Sequence, residues 1–104
     1  MDAAIKALAE PRRREILRLV WQRELPAGEI AAHFDVTRPA ISQHLGVLRE
    51  AGLVTERRDG TRRLYQARPD TVDDLRRFLD EFWTSGLGRL RDAAEAAERA
   101  KRRR

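Results

Sequence analysis

Cysteine is absent from this chain of 104 residues. Its absence excludes disulfide bonds, thiolate-ligated metal sites and thiol-based redox switches. Long apolar runs are absent too, since no segment approaches the roughly 18 apolar residues that a membrane-spanning helix needs. Residues 1–10 mix acidic and basic side chains and do not form an apolar leader. We therefore expect a cytoplasmic protein that does not contact a membrane.

Histidine is scarce, and His33 and His44 are the only two. The sequence predicts them on different helices without an obvious third ligand, whereas zinc and related metals need several ligands in one place. We therefore expect no metal site and no cofactor. The chain also shows no nucleophile–base pattern, glycine-rich phosphate loop or pair of carboxylates, so we do not expect an enzyme.

Arginine, in contrast, is abundant. Of the 22 basic residues only Lys6 and Lys101 are lysine, and the formal net charge is +5. This balance favours a polyanionic partner, and guanidinium groups favour forked contacts with phosphate or guanine. A solvated surface without a partner is the alternative at this point. A chain of this length supports one modest core, so we expect one domain over residues 1–99 and a basic tail over 100–104.

Three short helices are predicted in the first third of the chain. The first ends before Pro11, a residue that can open the second helix because proline is tolerated in a first turn. The apolar pattern of the second helix stops near residue 25, and the third helix covers residues 28–34. These helices are expected to form the core.

A fourth helix, residues 37–51, follows after a three-residue turn. Thr37 can cap its start and Gly52 its end. Ile41, Leu45 and Leu48 are spaced to form one buried stripe, which leaves the other faces of the helix free. The third and fourth helices together have the spacing of a helix-turn-helix. Similar helical pairs occur in purely structural bundles, so this pattern alone is not specific.

An arginine-rich β-hairpin is predicted directly after the fourth helix. Its strands, residues 53–58 and 62–67, are joined through Asp59-Gly60, a strong signal for a tight turn. The arginines beside the turn repel one another unless an anion is near. Protection of a sheet edge against aggregation is the alternative explanation. We favour a helix that fills the major groove of DNA and a basic hairpin that contacts the flanking phosphates.

The candidate DNA-binding residues are polar or cationic side chains of the fourth helix and the hairpin. They are Thr37, Arg38, Ser42, Gln43, His44, Arg49, Arg57, Arg58, Arg62 and Arg63. Hydroxyl groups suit phosphates or base edges, Gln43 suits adenine, and Arg38 suits guanine or phosphate. Arg49 lies further along the helix, where it is interpreted as a backbone contact or as an intramolecular partner of Glu50 or Glu56.

From residue 70 to about residue 99 the chain is predicted to be helical again, with a broad apolar face. A small domain with four helices and a hairpin does not need so much additional apolar surface for its own core. We interpret this face as a dimerisation surface, and the alternative is that it covers the core of a monomer. The residues of the face are Leu75, Phe78, Leu79, Phe82 and Trp83.

Over about residues 5–85 the sequence resembles the ArsR-type winged helix-turn-helix repressors of bacteria and archaea. The matching pieces are residues 8–17 (LAEPRRREIL), 36–45 (VTRPAISQHL), 48–54 (LREAGLV) and the hairpin at 57–65. The resemblance implies a mainly α-helical fold with a small β-hairpin, the wing. It implies a homodimer that pairs through its first and last helices, with Ile5 and Leu8 contributing from the first. It also implies repression at a palindromic operator near the protein's own gene.

Neither of the familiar metal-sensing motifs of such repressors is present. Many relatives use a Cys-x-Cys pair in the third helix or carboxylates and histidines in the last. Here residues 29–32 read Glu-Ile-Ala-Ala and no histidine follows His44, so the chain is more similar to the non-metal branch and its effector is unknown. Two other functions stay open. One is a winged helix that binds an acidic protein partner, and the other is a repressor gated by a small apolar ligand held against the last helix.

Overall fold

The computed structural model describes residues 1–102, which form six α-helices, one π turn and three β-strands. Their order is α1 (Asp2–Leu8), α2 (Pro11–Leu19), β1 (Leu25–Pro26), α3 (Ala27–Ala32), α4 (Arg38–Glu50), β2 (Val54–Asp59), β3 (Arg62–Ala67), α5 (Pro69–Phe82), the π turn (Trp83–Leu87) and α6 (Gly88–Arg102). The chain divides into two compact units, residues 1–72 and the residues from 73 onward. None of the helices in the described part is both long and apolar enough to span a bilayer.

Arginine side chains of α2 cap the C-terminal end of α1. Arg13 Nε donates to the carbonyl oxygen of Ala7 at 2.6 Å, and Arg14 Nη1 donates to that of Leu8 at 2.8 Å. Carbonyl groups in the last turn of a helix have no partner within the helix, so these bonds satisfy them. Pro11, just before the arginines, begins α2 as expected. Two arginines of the Arg-Arg-Arg run therefore fix α1 against α2.

The second helix is shorter than the sequence indicates. It ends at Leu19, and Trp21, which follows shortly after, is 45% exposed. Leu25–Pro26 instead forms β1, where Leu25 pairs with Tyr65 of β3. The sheet of the described residues is therefore three-stranded, in the order β1-β3-β2, where the sequence predicted only a hairpin. A strand of two residues has no periodicity that a sequence pattern could reveal.

Helix α4, the recognition helix of the expected helix-turn-helix, has the caps and the apolar stripe that its sequence predicts. Thr37 Oγ1 accepts a hydrogen bond from the N–H of Ala40 at 3.3 Å. At the other end Gly52 takes a φ of +76°, and the N–H of Leu53 bonds to the Leu48 carbonyl at 2.9 Å. A glycine is favoured there because a side chain is strained at positive φ. The buried stripe consists of Ile41, Leu45 and Leu48.

The core of the first unit is formed by its helices together with the sheet. Its largest fully buried side chains are Ile16, Val20, Ile30, Ile41, Leu45, Leu48, Leu53 and Val54. Burying such a side chain stabilises a fold by about 1.5–3 kcal/mol. Because α4 supplies three of the eight, the recognition helix cannot tilt without opening the core. Leu8 of α1 packs partly against this core, while Ile5 is 39% exposed.

The second unit leaves most of its apolar side chains exposed. Leu75 is buried, but six other large apolar residues are 41–65% exposed, namely Phe78, Leu79, Phe82, Trp83, Leu87 and Leu90. Trp83 and Leu87 begin and end the π turn. The Ser85 hydroxyl donates to the carbonyl of Glu81 beside this turn. The apolar face that the sequence predicts is therefore present and largely uncovered in one chain.

The last helix continues past the predicted end at residue 99. Alanine-rich sequence favours helix, and Arg102 Nη2 lies 3.9 Å from Glu98 Oε1 one turn earlier. Such pairs stabilise helices by a few tenths of a kcal/mol. Residues 100–102 of the predicted tail are thus helical, which extends the helix beyond its expected end, and residues 103–104 lie outside the described part. The division into a domain over 1–99 and a tail stays a prediction.

Candidate nucleic-acid interface

A groove of about 800 Å³ separates the recognition helix from the wing, which comprises β2, β3 and the turn between them. The recognition helix contributes one line of residues, Arg38, Ser42, Gly46 and Arg49, and the wing contributes Thr61, Arg62, Arg63 and Tyr65. Four of these side chains are arginines, and among residues 1–102 Glu29 is the one carboxylate in the lining. The groove is therefore a cationic slot with hydroxyl groups, suited to a phosphate backbone.

The recognition helix presents its predicted residues on two exposed faces. Arg38 and Ser42 line the groove, while Gln43 is exposed outside the groove lining. The guanidinium of Arg38 lies over Gly28 of α3, where an added Cβ would meet Arg38 Cζ at 3.7 Å. Thr37 is exposed at the start of the helix, although its hydroxyl already serves as the cap. The geometry thus separates a groove-facing side from a side available to bases.

His44 has an intramolecular partner in the structure. Its side chain is half-buried, and its Nδ1 lies 3.3 Å from Arg13 Nη1. Because arginine has donors only, the ring nitrogen must accept this bond. Through Arg13, which also binds the Ala7 carbonyl, His44 connects α4 with α1. Its contact with DNA stays a prediction. His33, on another helix, is exposed at the end of α3.

One wing arginine is directed away from the groove by a carboxylate. Arg57 Nε and Nη2 donate to the two carboxylate oxygens of Glu24 at 2.9 and 2.8 Å. The hydrogen bond from Arg57 lowers the pKa of Glu24 below its ordinary value, and the same bond raises the pKa of Arg57. Arg57 does not line the groove. Its first role in the free protein is therefore to attach the wing to the segment between α2 and β1.

Glu56 lies between arginines of the recognition helix and the wing. Its Oε2 lies 2.5 Å from Arg49 Nη1, and its Oε1 lies 3.4 Å from Arg63 Nε. This geometry matches one of the two roles that the sequence allowed for Arg49. Tyr65 is the cross-strand neighbour of Glu56. Burial raises the pKa of the Tyr65 hydroxyl, and the negative charge of Glu56 raises it further.

Two wing arginines are held less firmly. Arg62 Nη2 is 3.6 Å from Asp59 Oδ2 in a pair of which both side chains are more than half exposed, and such pairs contribute little stability. Arg58 is exposed, and no carboxylate within residues 1–102 lies in ion-pair distance of it. The turn between them begins at Gly60, whose φ of +64° suits a two-residue hairpin. These two side chains can reach a ligand without breaking a strong internal contact.

Sequence reasoning missed Glu24, Tyr65 and Arg13. A signal did exist for the pair of Glu56 and Arg63, because the hairpin register places them at diagonal positions on neighbouring strands. No such signal existed for the partners of Arg57 and His44, which lie 33 and 31 positions away along the chain.

Comparison with known proteins identifies the architecture. Residues 10–56 match the family model of the bacterial regulatory proteins of the arsR family. The chain is 48% identical over 86 residues to the HTH-type transcriptional regulator Rv2034 of Mycobacterium tuberculosis, a match that covers 83% of this chain and 80% of that protein. The chain belongs to the ArsR family of bacterial regulatory proteins.

Further relatives of this ArsR-family chain agree in sequence and fold. The transcriptional repressor SdpR of Bacillus subtilis is 33% identical over 86 residues, covering 83% of this chain and 96% of SdpR. A solved structure described as a possible transcriptional regulator for arsenical resistance has a TM-score of 0.75 at 44% identity, covering 89% of this chain and 96% of that one. A homodimeric winged helix-turn-helix DNA-binding domain from Mycobacterium bovis has a TM-score of 0.66 at 32% identity, with 78% of each chain covered.

The predicted family and the predicted winged helix-turn-helix fold are thereby confirmed. The chain is a DNA-binding transcription regulator of the ArsR family, in which α3 and α4 form the helix-turn-helix and β2 and β3 form the wing. No group of three or more histidine, cysteine, aspartate or glutamate side chains within residues 1–102 is arranged to hold a metal ion.

Proposed function

We propose that this ArsR-family chain acts in the cytoplasm as a dimeric repressor that binds a palindromic operator, including that of its own gene. In this proposal α4 enters the major groove and the wing contacts flanking phosphates. The observation that carries it is the cationic groove, in which arginines of the recognition helix face arginines of the wing. The repressor and dimer assignments are supported by the similarity to SdpR and to the homodimeric domain from M. bovis.

The proposed dimer uses the apolar face of the second unit together with α1. Phe82 and Trp83 are 60% and 61% exposed, and such contiguous apolar surface marks a protein interface. Ile5 of α1 is exposed, whereas Leu8 packs partly into the core and contributes less surface. The symmetric dimer then places two recognition helices about one DNA turn apart, roughly 34 Å.

We propose further that repression by this chain requires no metal, cofactor or catalytic step. The scarcity of histidine, the lack of cysteine and the engagement of His44 with Arg13 support this assignment to the non-metal branch. The effector of the proposed repressor stays unknown.

Binding of purified protein to its upstream intergenic duplex, with a random-sequence duplex of equal length as control, tests the proposal. We expect tighter binding to the upstream duplex and a strong dependence of both affinities on salt. A chain that instead binds an acidic protein would show no preference between the duplexes. A single asymmetric site bound by one chain would contradict the dimer.

The division of labour between helix and wing has its own test. Replacing Arg58 and Arg62 by alanine should weaken binding to every sequence and reduce the salt slope by about 0.9 for each phosphate that is no longer neutralised. Gln43→Ala should instead relax specificity, weakening binding by about 1–3 kcal/mol on the specific duplex alone. Equal effects of the two changes on both duplexes would contradict this assignment.

A further inference from the structure

We infer that Glu56 is a positioning residue that limits the affinity of the interface for DNA of arbitrary sequence. This inference rests on the proposed function, because it concerns the same groove between the recognition helix and the wing. The Glu56 carboxylate lies in a surface that is otherwise rich in arginine, and it weakens the attraction of this surface to phosphates of any sequence.

The contacts of Glu56 connect the recognition helix with the wing. One carboxylate oxygen is 2.5 Å from Arg49 Nη1 near the end of α4, and the other is 3.4 Å from Arg63 Nε on β3. Both arginines line the groove. A single side chain thus sets the position of two cations on opposite sides of the slot.

The burial of Glu56 makes these contacts stronger than ordinary surface pairs. Its side chain is 18% exposed, while those of Arg49 and Arg63 are 47% and 56% exposed. Water screens the carboxylate only partly, whereas the arginines retain donors that can reach a ligand. Arginine stays charged at every physiological pH. The negative charge of Glu56 therefore offsets about one of the two positive charges of Arg49 and Arg63.

This partial neutralisation affects random and specific DNA differently. Non-specific binding comes almost wholly from the charges that meet phosphates, so a carboxylate beside the groove weakens it directly. In the specific complex base contacts fix the register, and arginines held by Glu56 at defined positions meet phosphates at defined positions. Glu56 therefore lowers the affinity for random-sequence DNA, on which the protein has no fixed register, more than the affinity for the operator.

Glu56→Gln tests the inference, because glutamine keeps the size of the side chain and removes its charge. On a random duplex we expect a salt slope steeper by about 0.9 for each additional phosphate neutralised. For affinities that are equal at about 1 M salt, this slope makes binding at 0.1 M salt about eightfold tighter. The affinity for the upstream duplex should rise less, so the ratio of specific to non-specific affinity should fall.

Glu50→Gln is the matched control. Glu50 is exposed at the end of α4, beside Arg49 in sequence, and shares no ion pair within residues 1–102. It gives the same change in net charge and should leave the salt slope within error of the wild type. Glu56→Gln combined with Arg63→Gln restores the net charge and should return the slope to the wild-type value, provided that both variants keep the wild-type melting temperature.

A steeper slope and a lower ratio for Glu56→Gln alone, reversed in the double variant, support the inference. An unchanged slope, an unchanged ratio, or equal weakening on both duplexes overturns it while leaving the proposed function intact. Absence of salt-dependent duplex binding by the wild-type chain would instead overturn the proposed function. If Glu56→Gln unfolds, Glu56→Ser removes the same charge and carries the same expectation. Glu56→Asp, which keeps the charge, serves as a second control and should preserve the wild-type slope.

Discussion

The two units of the chain differ in how far their apolar side chains are exposed to solvent. In residues 1–72 the recognition helix and its neighbours bury a complete core, with Leu45 and Leu48 fully inaccessible. In the second unit Phe82, Trp83 and Leu90 are each at least 60% exposed. The core of the first unit is therefore complete within one chain, although Ile5 and Trp21 stay exposed, whereas the second unit has a broad apolar surface that a second copy can cover. Changes in the two units should accordingly alter different properties.

The largest expected effect comes from placing a charge on the exposed face. Phe82→Glu should convert the proposed dimer to a monomer, because burying a carboxylate against apolar side chains is strongly unfavourable. Operator affinity should fall about 100-fold or more, since two linked half-site contacts become independent. Sedimentation equilibrium and duplex binding measure the two results.

Arg77→Glu serves as the control for Phe82→Glu. Arg77 lies five residues earlier in α5, about 140° round the helix from Phe82, and its side chain is 71% exposed. Its replacement should therefore leave association unchanged. Retention of the dimer in Phe82→Glu would mean that the second unit does not form the interface. The proposed difference between the two units would then be wrong.

A smaller effect is expected from a cavity in the first unit. Leu48→Ala should lower the free energy of unfolding by about 2–5 kcal/mol, because Leu48 is fully buried and its cavity cannot be filled by water. Urea unfolding monitored by circular dichroism measures the change. Val47→Ala, next to it but 41% exposed, should change stability by about 0.5 kcal/mol or less. Equal losses of stability would show that α4 is not packed as described.

Local signals explain which parts of this fold could be predicted. Thr37, Gly52 and the stripe around Leu45 act within one helix, so their spacing identified α4 and its ends. β1 was missed because two residues at Leu25–Pro26 become a strand only when β3 lies beside them. The same reason applies to Glu24, whose carboxylate meets Arg57 only after the chain has folded.

The ion pair of Glu24 and Arg57 gives the smallest effect and one that depends on pH. Arg57 lowers the pKa of Glu24 in the folded state from its ordinary value of 4.5. A depressed pKa means that the stabilisation is present above about pH 4.5 and is lost as the pH falls through the folded-state value. The melting temperatures of wild type and Glu24→Gln should therefore converge as the pH is lowered from about 6 to about 3.

Glu98→Gln controls for the change in net charge in that titration. Its partner Arg102 lies one turn away on the same helix, so the pair does not connect separate elements. A difference between wild type and Glu24→Gln that stays constant over the same pH range would argue against a role of Glu24 in attaching the wing.

The π turn at Trp83–Leu87 has a consequence for the angular register of the long C-terminal helical run. An ideal α-helix advances about 100° per residue, so the five positions from Phe82 to Leu87 would rotate the apolar face by about 140° out of line. A π turn bonds residues five apart and absorbs one extra position. Phe82 and Leu87 then fall on nearly the same side, and Leu90 and Ala94 follow at spacings of three and four. The one extra residue in the π turn thus compensates for this rotation. It keeps the apolar side chains of α5 and α6 on one side of the helical run.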